Sequence, residues 1–266
     1  MAQQPRASTT ADLATSQSGN AIAMSSTLLD GVDLQALARN LPTPFNVYSA
    51  SAIRRRIDEL RTALRGLDTA ICYTVKANSN LAILQLMAEA GVGADIVSAG
   101  ELRRSLRAGI PAEQIVFSGV GKAADEIEEA LAAGVGRFNV ESEDELHLLQ
   151  RLARGRQVVA NAAVRINPDV DAQTHAKIST GKSENKFGVS LDEARRWFAY
   201  SAQLSHVRLD GLHVHIGSQI LGVEPFRLAF ERVIGGADGR LALDQWRRDG
   251  DAAAADRLNG MGEIET

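Results

Sequence analysis

The sequence predicts an α/β fold of the (β/α) barrel type, and three observations predict it. Short apolar runs that read as strands begin near positions 70, 94, 115, 137, 158 and 207. The first five starts lie about 21–24 residues apart, the length of one βα unit, and the last interval of about 49 residues carries an insertion. No G-x-G-x-x-G follows the first of these runs, which disfavours a doubly wound dinucleotide-binding sheet.

Taken in order, residues 1–26 are rich in Ser, Thr, Ala and Gln with little to bury, and are expected to form a disordered leader. Phe45 to Tyr48, introduced by Pro42 and Pro44, reads as a short strand. Ile53, Ile57, Leu60 and Leu64 fall on one stripe and predict an amphipathic helix over 50–64. The run AICYTVK is then the first barrel strand, with ADIV, IVFS, RFNV, VVANAAVRIN and VRLDGLHVHIG as its successors. A helix over 101–108 stops at Gly109-Ile-Pro111, a glycine end followed by proline. Ser142 with Glu145 makes a capping box ahead of Leu146, Leu149 and Ala153. The polar stretch from Asn167 to Lys186 reads as a long loop over the site face. From Ile234 the pattern breaks down into a charged tail with no clear strand, so about six strands are visible where a closed barrel takes eight.

Composition narrows the function. Twenty-nine Lys and Arg against 33 Asp and Glu give a net charge of −4, so no basic field exists to hold nucleic acid or an anionic membrane. The single cysteine, Cys72, cannot form an internal disulfide, which fits a reducing cytoplasm. No apolar run approaches the ~18–20 residues of a membrane span.

In parallel α/β folds the chemistry gathers where strands end. Those ends carry Lys76, Asp95, Ser118, Asn139, Arg165, and then His213 and His215 with Ser218. Lys76 closes a mostly apolar run, so partial desolvation would favour the neutral amine that forms Schiff bases; the plain alternative is a lysine leaving its strand into solvent. Arg165 can hold an anion or a phenolate through its fork of donors, or simply bridge to Asp169 or Asp171 at the rim. His213 and His215 lie two apart, so they face the same way on a strand. They read as a metal pair, as one histidine stacked on a planar cofactor, or as a hydrogen-bonded pair without a ligand. Gly217-Ser218-Gln219 opens a turn whose N–H groups suit a phosphate oxygen better than a metal. No further His or Asp/Glu cluster supplies a third and fourth ligand at an obvious spacing.

Several motifs are together recognisable. Tyr73-Thr-Val-Lys76-Ala-Asn-Ser-Asn80 resembles the lysine motif of the fold type III, alanine-racemase-like pyridoxal-phosphate decarboxylases. His213-Val-His-Ile-Gly-Ser-Gln219, Ile178-Ser-Thr-Gly181 and Asn185-Lys-Phe-Gly188 resemble the diaminopimelate decarboxylase branch of that family. Ala94-Asp-Ile-Val-Ser-Ala-Gly-Glu101 and Phe138-Asn-Val-Glu-Ser-Glu143 do so too. The resemblance runs from about Leu29 to Val233.

It implies a PLP-binding (β/α)8 TIM-type barrel over 49–233, incomplete at about six strands. Residues 27–48 would contribute to a β-sandwich domain whose larger, C-terminal part is missing, and 234–266 would be an atypical tail. By the same resemblance Lys76 would hold pyridoxal 5'-phosphate as an internal aldimine, with Asp95 beside it. His215 would stack on the pyridine ring, Gly217 and Ser218 would bind phosphate, and Arg165 would lie near O3′. Lys76 and His215 would be the catalytic pair. The implied reaction is decarboxylation of meso-diaminopimelate to L-lysine in the cytoplasm by a homodimer, with a small amino acid as substrate.

The tail departs from the family pattern. The glycine triplet for phosphate, the Glu-Pro-Gly-Arg segment, the Cys-Glu segment and the late tyrosine are absent, and Gly235-Gly236 comes without a preceding strand. A truncated or frameshifted end is therefore expected, with impaired activity. Three alternatives stand beside the leading one. They are a decarboxylase of the same fold acting on ornithine, arginine or carboxynorspermidine, a metal-dependent barrel hydrolase using His213 and His215, and a non-catalytic fragment.

Overall fold

The computed structural model describes residues 28–168, 170, 187–218, 220 and 222–235. The chain divides into two compact units at Ile53/Arg54. In the first, β1 (Leu28–Leu29) pairs antiparallel with β2 (Val32–Asp33). The turn between them, Asp30-Gly31, has φ of 51° and 81°, the positive pair that an Asp-Gly hairpin turn requires. Asp33 then caps α1 (Leu34–Asn40) by accepting the Gln35 N–H at 2.9 Å. The expected strand at Phe45 to Tyr48 does not form: the segment pairs with nothing in a ladder, and Val47 and Tyr48 stay exposed. Two prolines beside it remove N–H donors, and an apolar side chain alone does not make a strand. Helix α2 (Ala50–Ala63) forms over the predicted span and runs across the boundary between the units; of the predicted stripe Ile57 is buried and Ile53 half-buried, but Leu60 is exposed.

The second unit holds a six-stranded parallel sheet: β3 (Cys72–Thr74), β4 (Gly93–Ile96), β5 (Ile115–Phe117), β6 (Arg137–Val140), β7 (Ala160–Ile166) and β8 (Val207–Val214). Between successive strands run α3 (Leu81–Glu89), α4 (Ala99–Arg107), α5 (Ala124–Ala133), α6 (Glu143–Arg156) and α7 (Leu191–Tyr200), and α8 (Glu224–Gly235) follows the last. The strand order is 3-4-5-6-7-8 without reversal. A doubly wound sheet reverses at a switch point; an unbroken order with right-handed crossovers keeps every helix on one face, as in a barrel wall. The strands β4 and β5 are buried along their whole length, and β6 and β7 nearly so, as expected for strands covered on both faces.

Helix ends follow the chemistry of their termini. Ser98, Ser142 and Ser190 each accept the backbone N–H three residues on, from Glu101, Glu145 and Glu193, at 3.2–3.3 Å. The capping box at Ser142 is only half made. Glu145 reaches past Ser142 to accept the Glu141 N–H at 3.1 Å, because its other oxygen is taken by Lys122. Glycine is required where units approach closely. A Cβ on Gly136, just before β6, would sit 2.1 Å from the Glu113 carbonyl oxygen. Gly136→Ala is expected to destabilise the fold by about 1–3 kcal/mol, read as a lowered urea midpoint at unchanged slope.

Candidate active site

The C-terminal ends of the strands collect most of the buried polar residues among the described ones. Asp95, Ser118, Asn139, Glu141, Arg165 and His213 are all buried there. The sequence placed five of these six at strand ends; it missed Glu141, whose signal is its position two residues beyond Asn139 on the same side of the chain.

On β4, Asp95 lies opposite Thr74 of β3 in register. Its carboxylate accepts from Thr74 Oγ1 at 3.5 Å and from Ser118 Oγ at 2.5 Å. Ser118 in turn accepts from Asn139 Nδ2 at 3.0 Å. Arg165 on β7 pairs in register with His213 of β8, and its guanidinium bonds Glu141 Oε1 at 2.7 Å. The sequence offered Asp169 or Asp171 as its ion-pair partner; both lie outside the described residues, and the partner found is Glu141. The carboxylate's other oxygen, Oε2, is buried with no hydrogen-bond partner among the described residues. Phe187 lies against the guanidinium, 5.1 Å from its carbon to the ring centroid. Gly188, with φ +74°, lets this segment close on β7: a Cβ would meet the Arg165 carbonyl oxygen at 2.8 Å. Val189 then donates to that same oxygen at 2.9 Å.

Lys76 does not end a strand. The ladder stops at Thr74, and Val75–Ala77 form one turn of 3-10 helix that carries Lys76 exposed at the rim. Its apolar neighbours therefore do not desolvate it; Val75 is the residue that turns inward and is fully buried. Strand β8 likewise ends at Val214, so His215 lies one residue past the ladder and is half-buried, whereas His213 is 1% exposed. Gly217 is buried with φ of 142°, and Ser218 follows it, half-buried. Gln219 and the Ile178 to Gly181 motif lie outside the described residues. Among the described residues no three of His, Cys, Asp and Glu group as a metal ligand set.

A second rim lysine was not singled out by the sequence. Lys122, in the turn after β5, has a side chain 1% exposed. Its ammonium donates to Gly119 O at 2.8 Å, Asn139 O at 2.6 Å and Glu145 Oε1 at 2.6 Å, which uses all three N–H groups. Burial pushes the Glu145 carboxyl above its ordinary value, although the Lys122 charge and hydrogen bond pull the other way. A cavity of about 640 Å³ opens at the opposite, N-terminal end of the strands, beside Cys72, Gly93, Asn161 and the Arg137–Asp210 ion pair. None of the rim residues lines it.

Residues 50–242 match the family model described as pyridoxal-dependent decarboxylase, pyridoxal binding domain. The chain belongs to this decarboxylase family. Diaminopimelate decarboxylase of Pseudomonas aeruginosa is 49% identical over 213 residues, 80% of this chain and 51% of the relative. That of Aquifex aeolicus is 45% identical over 206 residues, 77% and 49%. The crystal structure of diaminopimelate decarboxylase from Helicobacter pylori, complexed with L-lysine, matches with a TM-score of 0.76 at 43% identity, covering 79% of this chain and 54% of that one. This decarboxylase-family chain spans about half the length of the curated relatives it matches.

Proposed function

We propose that this chain is the pyridoxal-phosphate-binding part of a decarboxylase that converts meso-diaminopimelate to L-lysine and carbon dioxide. One observation carries the reading. An unbroken parallel strand order brings Lys76, Asp95, Arg165 and the segment from His213 to Ser218 to one rim, in a chain 41–49% identical to diaminopimelate decarboxylases. The donor set suits the cofactor: an exposed amine for an aldehyde, a guanidinium for a phenolate oxygen, and a glycine turn with a hydroxyl for phosphate.

Pyridoxal phosphate, when bound, supplies the ring that takes up the electron pair left as the α-carboxylate departs. Lys76 offers the amine that attaches the cofactor. Lys122 is excluded from that role, because its ammonium is buried and spends every donor on fixed acceptors. Arg165, aimed by Glu141 and stacked on Phe187, would hold the phenolate oxygen. His215 would cover the ring face, with Gly217 and Ser218 on the phosphate.

The two histidines separate by burial. His215→Ala is expected to weaken cofactor retention by roughly two- to tenfold with the fold intact, since stacking of this kind is worth about 0.5–1.5 kcal/mol. His213→Ala is expected instead to lower the melting midpoint, because its ring is sealed in the sheet. Equal loss of cofactor in both, with stoichiometric zinc, would return the site to the metal reading. Substrate choice is tested by turnover: lysine must form from diaminopimelate, and preferred turnover of ornithine or arginine would overturn the assignment. The proposal extends to a homodimer in the cytoplasm. Among the described residues no helix is long and apolar enough to cross a membrane.

A further inference from the structure

The rim contains a hydrogen-bond chain with a fixed direction. Asn139 on β6 is fully buried and donates Nδ2 to Ser118 Oγ at 3.0 Å. The main-chain carbonyl oxygen of the same residue accepts from Lys122 Nζ at 2.6 Å. Ser118 is held in turn, its backbone N–H extending the ladder to Ile96 O at 2.8 Å. A hydroxyl has one hydrogen; once its oxygen accepts from an amide N–H, that hydrogen is left for another partner. Here the partner is Asp95 Oδ1, at 2.5 Å. Thr74 Oγ1 approaches the other oxygen at 3.5 Å. A carboxyl that receives hydrogen bonds in this way is favoured in its ionised form.

We propose that Ser118 and Asn139 are positioning residues: a directed relay, Asn139 to Ser118 to Asp95, that fixes the Asp95 carboxyl beside the end of β3, where Lys76 follows. The inference rests on the reading of Lys76 as the cofactor lysine for its consequence, but not for its test. Asp95 lies on β4, Ser118 just past the end of β5 and Asn139 on β6, so the relay exists only when these three strands are in register. Its effect is to keep a negative charge next to the attachment point without letting the carboxylate swing away.

Among the described residues the other titratable groups of this rim include Tyr73 on β3 and Lys76 after it, Glu101 at the start of α4, Lys122 after β5, Glu141 after β6, Glu145 at the start of α6, Arg165 on β7, and His213 on β8 with His215 beyond it. The test follows the Asp95 carboxyl by 13C NMR titration of the cofactor-free chain, assigned by difference from Asp95→Asn. Ser118→Ala is expected to raise the Asp95 pKa by about one unit. Ser118→Thr, which keeps the hydroxyl, is expected to leave it within a few tenths. Asn139→Ala is expected to give a smaller rise, because the hydroxyl then loses its fixed direction. If Ser118→Ala does not fold, Ser118→Cys carries the same test with a weaker donor at similar volume. An Asp95 titration unchanged in Ser118→Ala, or shifted equally by Ala and Thr, overturns the relay. Covalent loading with pyridoxal phosphate is measured in parallel. Failure to label Lys76 in any variant, with the Asp95 shifts as expected, removes the cofactor reading and leaves the relay standing.

Discussion

Replacing Lys76 by alanine is expected to abolish covalent attachment of pyridoxal phosphate to the protein. In the wild-type chain, incubation with the cofactor followed by borohydride reduction should place one stable adduct on the peptide containing Lys76. In Lys76→Ala the adduct should fall to background, and any decarboxylation should fall by on the order of 10³-fold or more, as is usual when a covalent nucleophile is removed. The fold should hardly notice, because Lys76 is exposed and surface changes usually fall within ~0.5 kcal/mol. Lys76→Arg separates charge from nucleophile: it keeps a cation on the same turn but cannot lose a proton to attack an aldehyde, so it should fail as completely as alanine. An adduct on another lysine, formed equally in wild type and Lys76→Ala, would refute the assignment.

Lys122→Ala should produce the opposite phenotype, a loss of stability rather than of attachment chemistry. The pair with Glu145 is almost sealed from solvent, with side chains 1% and 10% exposed. Removing one partner of a buried pair typically costs about 3–5 kcal/mol, because the remaining charge has neither water nor a counter-ion. Two backbone carbonyls, Gly119 O and Asn139 O, lose their donor in the same step. For a chain of this size the melting midpoint should drop by roughly 10 °C. The loss should depend on pH in a stated direction. Burial already raises the folded-state pKa of Glu145, and Lys122 is the largest influence opposing that rise, ahead of the Glu141 N–H. A raised carboxyl pKa means that stability is fullest below the unfolded-state value and declines as pH climbs through the folded-state value. Without Lys122 the rise grows, so the variant should recover stability on acidification from neutral pH towards the ordinary carboxylate range. Arg103→Ala is the control. Its pair with Glu129 is bidentate at 2.7 and 2.5 Å, but the arginine side chain is 68% exposed, and solvent and salt screen it; no measurable shift in midpoint is expected.

The periodic features of this protein were legible in the sequence alone. Buried parallel strands are apolar runs, helices between them carry stripes, and both repeat at one βα length; each of the six strands lies within about two residues of its expected start. Helix ends were legible for the same local reason: the glycine stop at Gly109 and the serine cap at Ser142 act within one turn. The lysine, aspartate, arginine and histidines of the rim were legible because parallel strands deliver their ends to one side. Partnership was not. Arg165 takes Glu141, just past the end of the neighbouring strand, and Glu145 leaves its capping box half-made to meet Lys122 across two elements. Nor could apolar flanks reveal that Val75 turns inward while Lys76 turns out, since a single turn of 3-10 helix has no periodicity to read. Period and local capping act over a few residues and so are written in the chain, whereas ion pairing and burial act through space, and only the registered sheet decides which side chains meet.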